Sequence, residues 1–301
     1  MSFYVIDRPT GTRPAPTPSL TQGSIVQRLR IDRYPGRAHH GLLLTARCDL
    51  EHLRSDSLNF LPVVPLKDWL SFDGALSILL SDIGKRRQAA RKLMRQLDPH
   101  LERVIDIDDD WQTSIARFAD GRPDLDRGVL TELKKTLAQY GALTIEYNKC
   151  ATDPEATLKA VLGPGPLSEL YKRLWGQKLD ELMSDKVFDA HFVPTIDMLE
   201  TTDTTPGYVI LFRHIISVPG VIAPYLAKGL RADGIQSDAD LRPKLEPCLD
   251  LSPGAFISII SNVVSPHLEY IVQRFAQVFS RIGSPDFTPE YREQIRGACE
   301  A

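Results

Sequence analysis

The sequence has little cysteine and no excess of either charge. Its four cysteines among 301 residues lie far apart with no C-x-x-C pair, which excludes a zinc ribbon and a thioredoxin-like motif. Lysine and arginine total 36 against 39 acidic residues, a net charge of −3, so no global field marks the whole chain as a nucleic-acid or membrane binder. We therefore expect reduced thiols, and we expect any basic surface to be local.

Long hydrophobic runs and the common catalytic motifs are also missing. No apolar stretch reaches the roughly 18 residues of a membrane span, and residues 1–31 lack the apolar core of a secretory signal. The sequence contains no P-loop, no dinucleotide-binding glycine motif, no H-E-x-x-H, no G-x-S-x-G and no EF-hand loop. These absences predict a cytoplasmic protein that has no membrane association and no cofactor.

Two groups of strands flank a helical stretch. Short apolar or alternating runs predict strands near residues 24–31, 41–47, 59–66, 187–196, 208–218 and 255–264. Helical spacing of apolar residues predicts helices near 76–97, 126–147, 167–183 and after Ser265 and Pro266. The pattern indicates an α+β fold, because β character and helical character occupy separate parts of the chain.

This order predicts a small β-barrel that is interrupted by a large helical insertion and followed by a C-terminal helix. We divide the chain into a flexible N-terminal arm at 1–21, a split barrel domain at 22–69 and 186–301, and a helical insertion at 70–185. Two independent domains are the alternative.

The most distinctive local sequence is the end of the second predicted strand. An apolar run ends there in polar residues, and Arg47, Cys48 and Asp49 are the candidate catalytic residues. Cys48 and His52 lie four positions apart, so on a helical turn they would share a face and could bind metal or act as a nucleophile pair. A structural metal normally needs four ligands, and the alternative is a buried cysteine beside an Asp49 that caps a turn.

Basic residues concentrate at two further places. Six cations within about three helical turns predict a surface for nucleic acid or an acidic partner: Lys85, Arg86, Arg87, Arg91, Lys92 and Arg95. Acidic residues between Asp98 and Asp110 follow at once, so pairing within the chain is the alternative. Arg274 and Arg281, seven positions apart on the last helix, could bind a partner or pair within the fold.

Three short motifs carry a resemblance to a known family. Gly23-Ser24-Ile25, the apolar second strand at 41–46, the third strand ending in Val63-Val64-Pro65 and a terminal helix resemble the PemK/MazF toxins. With residues 44–50 (LTARCDL) as the second motif, the chain is more closely similar to uncharacterised bacterial proteins with a Gly-Asp-Ile start and a Cys-Asp-Leu strand end. The resemblance covers residues 22–66 and 187–283, and it implies an SH3-like barrel.

The toxins' ribonuclease activity is not implied by this resemblance. In the toxins an Arg-Pro pair leads into the second strand and a threonine follows the third-strand proline. Here those positions hold His40-Gly41 and Leu66-Lys67, so the groups that act on the scissile phosphate are missing.

The sequence therefore favours a non-catalytic bacterial accessory or regulatory protein. We expect it to bind a protein partner through the helical insertion and the barrel edge, in an operon for antiviral defence or a toxin–antitoxin pair. The alternative is an RNA- or DNA-binding protein or a ribonuclease related to the toxins. A thiol or metal enzyme centred on Cys48 is the third candidate.

Overall fold

A curled antiparallel half-barrel sheet and a large helical region make up the fold. The computed structural model describes residues 12–14, 19–34, 37–51, 55–101, 113, 117, 126–196, 205–235 and 238–280. Within these residues the helical region lies between β4 and β5 in the chain, although the strands on either side of it belong to one sheet.

In the described part of the chain, eight strands form the main sheet in the order β1-β10-β2-β3-β4-β6-β5, with β7 also paired to β4, and their pairings are antiparallel. They are β1 (Thr12–Pro14), β2 (Ser24–Leu29), β3 (His39–Leu43), β4 (Ser57–Pro65), β5 (Ala190–Val193), β6 (Tyr208–Leu211), β7 (Ile216–Pro219) and β10 (Ile259–Val263). A separate two-stranded ribbon contains β8 (Leu230–Arg231) and β9 (Phe256–Ile257).

A proline in β4 explains why β6 and β7 are two strands. The Leu44 amide donates to the carbonyl of Asn59 at 2.8 Å, so odd-numbered residues of β4 hydrogen-bond to β3 and even-numbered residues face β6 and β7. Pro62 is even-numbered and has no N–H to donate. The strand opposite it breaks there, and residues 212–215 leave the ladder.

Nine α-helices occur in the described residues, and aspartates cap two of the long ones. They are α1 (Arg47–Glu51), α2 (Leu66–Trp69), α3 (Ala75–Leu97), α4 (Arg127–Cys150), α5 (Pro154–Leu162), α6 (Pro166–Met183), α7 (Ala223–Lys228), α8 (Arg242–Leu245) and α9 (His267–Ser280). A π-helical segment, Leu70–Gly74, joins α2 to α3. The Asp126 and Asp153 carboxylates accept backbone N–H groups at the starts of α4 and α5, which fixes where these helices begin.

The sheet is buried on both faces, so its strands read as nearly continuous apolar runs. Leu61 and Val63 of β4 pack on the side of α9, whereas Phe60 packs against the 222–257 segment. Val64 belongs to a third cluster that it shares with Val209 of β6 and the helical region. Because this cluster joins sheet and helices, the helical region shares a core with the sheet.

The structure confirms the α+β class, with an antiparallel half-barrel and a large helical region. Among the described residues the sheet has edges at β1 and β5, so it curls without closing into the small barrel that we expected. Within the predicted flexible arm, Thr12 pairs with Val263. The SH3-like assignment and the domain boundaries stay predictions.

Candidate functional site

The strand-end residues lie on α1, at the surface. Arg47 and Cys48 are exposed and Asp49 is half-buried, and the Cys48 thiol lies 3.7 Å from Oδ1 of Asp49. Cys48 and Asp49 lie close together because they are adjacent in the sequence. His52 lies outside the described residues, and among those that are described no group of three His, Cys, Asp or Glu side chains could hold a metal ion.

The basic residues of α3 divide into an outer set and one inward side chain. Arg86 turns inward, where its Nη1 donates to Oε1 of Gln139 at 2.7 Å and its Nε lies 3.4 Å from Oδ2 of Asp82. The other five form what we call the basic face of α3: Lys85, Arg87, Arg91, Lys92 and Arg95. Four of them are exposed and Arg91 is half-buried, while Arg87, Arg91 and Arg95 also make interactions within the chain.

No carboxylate interrupts α3 between Asp82 and the end of the helix at Leu97. The acidic stretch that follows is described only at Asp98, because residues 102–110 lie outside the described part. Pairing of the two charge runs, one of our alternatives, therefore stays a prediction.

Arg274 is not available to a partner, because its side chain is buried in the fold. Its guanidinium bonds the Asp185 carboxylate, donates to the carbonyls of Val187 at 2.8 Å and Asp185 at 3.2 Å, and lies 5.5 Å from the centre of the Phe212 ring. We expected either a partner contact or pairing within the fold, and the structure places Arg274 in the second arrangement. Arg281 lies outside the described residues.

His191 and Tyr270 complete this network, which we call the closed network (Asp185, His191, Tyr270 and Arg274). Nδ1 of His191 lies 2.9 Å from Oδ1 of Asp185, and the Tyr270 hydroxyl donates to Oδ2 at 2.8 Å. Burial lowers the pKa of His191 against the opposing effect of Asp185. Burial alone would raise the pKa of Asp185, but bonds from His191 and Tyr270 and the charge of Arg274 hold that pKa below its ordinary value.

A second polar site, which our sequence interpretation did not find, lies where the sheet meets the helical region. There the π-helical segment ending at Gly74 and the strand break at 212–215 border one cavity of about 280 Å³. Both kinds of irregularity recur at functional sites. We call this cavity the junction cleft. Its ionisable lining includes Arg33, Asp73, Asp189, Arg213 and His214, and Ser77 and Tyr147 also line it.

Asp73, in the π-helical segment, fixes Arg33 at the mouth of the cleft. Nε and Nη2 of Arg33 each lie 2.6 Å from Oδ1 of Asp73, and the Tyr34 hydroxyl donates to Oδ2 at 2.6 Å. The guanidinium also lies 4.8 Å from the centre of the Phe72 ring. Burial, with Asp73 adding to it, raises the pKa of Tyr34 well above its ordinary value, so this hydroxyl stays a hydrogen-bond donor.

The strand break supplies the opposite side of the cleft. Nε of Arg213 lies 2.9 Å from Oδ2 of Asp189. Burial lowers the pKa of His214, Arg33 and Arg213 lower it further, and Asp73 and Asp189 act in the opposite direction. A neutral imidazole therefore lies among two guanidinium groups and two carboxylates.

The residues of the cleft come from distant parts of the chain, which is why no motif indicated them. Pro62 is one example of such distance, because its effect falls on the neighbouring strand of the sheet. No protein-family model, curated protein or solved structure was found to match this chain. In the described residues we find no helix with the length and apolarity needed to cross a membrane.

Proposed function

We propose that this chain is a non-catalytic accessory protein that binds a protein partner through its helical region. The observation that supports this most is on α5, where Leu158 and Leu162 follow one turn apart and are 43% and 75% exposed. Single exposed leucines are ordinary, but two on one face of a nine-residue helix form an apolar surface that the described residues leave exposed.

The next helix adds to this surface chemistry. Trp175 and Met183 of α6 are 45% and 47% exposed. Tryptophan and methionine are enriched at protein interfaces, where large side chains desolvate on docking. The proposal is therefore of an apolar contact, with α5 as its centre.

A pull-down from the native host tests the proposal. The bait is the tagged full chain, compared with Leu158→Glu/Leu162→Glu and with a control, Asn148→Glu/Thr152→Glu, which adds the same charges at exposed polar positions. We expect the wild type and the control to recover one stoichiometric protein and the leucine variant to lose it. The recovered protein is then purified and mixed with each variant to show direct binding.

Recovery of the wild type alone would contradict the proposal, as would equal recovery of the partner by all three chains. Thermal melts of the variants accompany the experiment, because a leucine variant that unfolds would lose the partner for another reason.

Nucleic acid is the second candidate ligand, and the basic face of α3 favours it. Its cations extend over three helical turns without an intervening carboxylate, as phosphate contacts require. We expect binding of duplex DNA or RNA to weaken steeply with salt. In Lys85→Gln/Arg87→Gln/Lys92→Gln the slope of log affinity against log salt should fall by about 2 to 3, since each lost phosphate contact removes roughly 0.9.

The matched control replaces three exposed lysines on other helices, Lys135, Lys149 and Lys172, by glutamine and should keep the wild-type slope. Binding that does not depend on salt, or an equal loss in the control, would remove nucleic acid as a candidate.

The SH3-like assignment, the relation to the PemK/MazF toxins, a role in defence and a cytoplasmic location stay predictions. Incubation with RNA tests the ribonuclease alternative. Cleavage by the wild type that is lost in Arg47→Ala and Asp49→Ala would support it and would count against a non-catalytic role.

A further inference from the structure

The junction cleft combines the features of a small-molecule site. Its floor is apolar and buried, whereas charged groups stand at its rim, and small-ligand pockets share this arrangement. The floor is lined by Trp69, Leu76, Val187 and Leu211. A flat apolar body of about one ring fits a cavity of about 280 Å³.

Hydrogen-bond donors remain at the rim, beside the Asp189 carboxylate, whose side chain is 43% exposed. Both oxygens of Asp73 are occupied, one by Arg33 and the other by Tyr34. Nη1 of Arg33 makes no hydrogen bond within the described part of the chain. The Arg213 side chain is 61% exposed, and its one contact with a described carboxylate is that of Nε with Asp189.

The two guanidinium groups differ in how firmly they are held. Asp73 and Phe72 orient Arg33 before any ligand arrives, so less of its rotamer entropy is lost when a ligand binds, whereas Arg213 pairs with Asp189 in solvent. A planar guanidinium bonds carboxylate and phosphate oxygens in pairs, and such charge-assisted bonds are the strong ones. His214 beside them has one further ring donor for an anion.

We propose that the junction cleft binds a small molecule that carries a carboxylate or phosphate group on a flat apolar body. The apolar body occupies the floor over Leu76 and Leu211. The anionic group contacts Arg33 and Arg213.

Four probes with one ring and different charges test the proposal. They are benzoate, phenyl phosphate, benzylamine and benzyl alcohol, each titrated into the full chain by NMR. The readouts are the Trp69 indole and His214 imidazole signals, assigned with Trp69→Phe and His214→Gln. We expect benzoate, phenyl phosphate or both to shift these signals in a saturable way. Benzoate alone would identify a carboxylate site and phenyl phosphate alone a phosphate site.

Substitutions at the rim locate the anion. Arg213→Gln should weaken binding of the anionic probe about tenfold, because one charge-assisted hydrogen-bond partner is lost. Arg33→Gln should do the same, and Arg213→Gln keeps the test valid if the Arg33 variant folds poorly. Arg127→Gln, an exposed arginine at the start of α4, is the control and should bind as the wild type does.

Equal binding of benzylamine, the absence of any saturable shift at millimolar probe, or unchanged affinity in both rim variants would overturn the proposal. The result is independent of the partner-binding proposal, because Leu158→Glu/Leu162→Glu should leave the probe titrations unchanged.

Discussion

The closed network and the junction cleft both hold arginine with aspartate, but they differ in what surrounds the pair. The side chain of Arg274 is 9% exposed, whereas those of Arg33 and Arg213 are 34% and 61% exposed. Arg274 also bonds two backbone carbonyls, so several of its donors are used inside the chain. Among the described residues each cleft arginine pairs with one carboxylate, and both side chains are partly exposed to solvent.

This difference indicates that the chain uses arginine–aspartate pairs in two ways. In the closed network the pair joins α9 to the segment that enters β5, across 89 residues of sequence. In the cleft Asp73 orients Arg33, and Arg213 pairs with Asp189 in solvent, so both guanidinium groups border an open cavity. Substitutions in the closed network should therefore mainly lower the stability of the fold, whereas substitutions in the junction cleft should mainly weaken ligand binding.

The largest effect is expected from Arg274→Met. The substitution removes the buried guanidinium from the Asp185 carboxylate, which keeps Tyr270 and His191, and it removes the donor to the carbonyls of Val187 and Asp185. We expect the free energy of unfolding to fall by about 3 kcal/mol. Urea denaturation measures it, with Gln273→Met, an exposed neighbour, as the control. A loss no larger than that of the control would show that the closed network does not join these elements.

Arg33→Gln should destabilise the chain less, by about 1 kcal/mol. Asp73 loses its guanidinium but keeps the Tyr34 hydroxyl, and solvent reaches about a third of the Arg33 side chain and screens the pair. The same urea denaturation measures it. A loss equal to that of Arg274→Met would remove the distinction between the two sites.

Acid should weaken the closed network in two steps. The pKa of His191 is lowered in the folded chain. The stability that this histidine contributes is therefore fully present above its pKa in the unfolded chain, about 6.5, and is lost as the pH falls through its pKa in the folded chain. The pKa of Asp185 is also lowered, so its contribution is lost below about pH 4. Arg274 and His267 oppose protonation of His191, and Asp185 favours it.

The measurement compares the free energy of unfolding of the wild type and His191→Gln from pH 8 to pH 5. His39 and His214 also have lowered pKa values and contribute in both chains, so the difference between the two curves isolates His191. Parallel curves would show that His191 is not held neutral by the fold.

The smallest effect on stability is expected from Arg213→Gln. Its pair with Asp189 lies in solvent, and we expect a change within about 0.5 kcal/mol. The anionic probe should nevertheless bind about tenfold more weakly to this variant. A large loss of stability with unchanged binding of the probe would show that Arg213 stabilises the fold, as Arg274 does, and does not bind the anion.

Elements defined by local periodicity were predictable. The helix expected near 76–97 spans Ala75–Leu97, because its apolar spacing and the proline after it are local signals. The run at 208–218 predicted one strand but contains two, since the cause of the break is Pro62 on the neighbouring strand. The helix α5 and the π-helical segment had no distinctive pattern of their own.

The candidate sites follow the same rule. The basic face of α3 could be predicted because its cations lie within one helix. The closed network could be predicted only at Arg274, since its partners Asp185 and His191 lie 89 and 83 positions away. The cleft had no sequence signal, because its rim comes from three separated segments near residues 33, 73 and 189–214.

The sequence by itself determined the α+β class, the position of the helical region between two groups of strands, and the basic face of α3, whereas the structure joined the two groups in one sheet. Each of these depends on neighbours within a few turns or one strand, where periodicity acts directly. Only the tertiary structure decided that Arg274 is buried while Arg33 and Arg213 border a cavity. That outcome depends on which distant carboxylates and backbone irregularities meet when the sheet packs against the helices, and no local pattern encodes such a meeting.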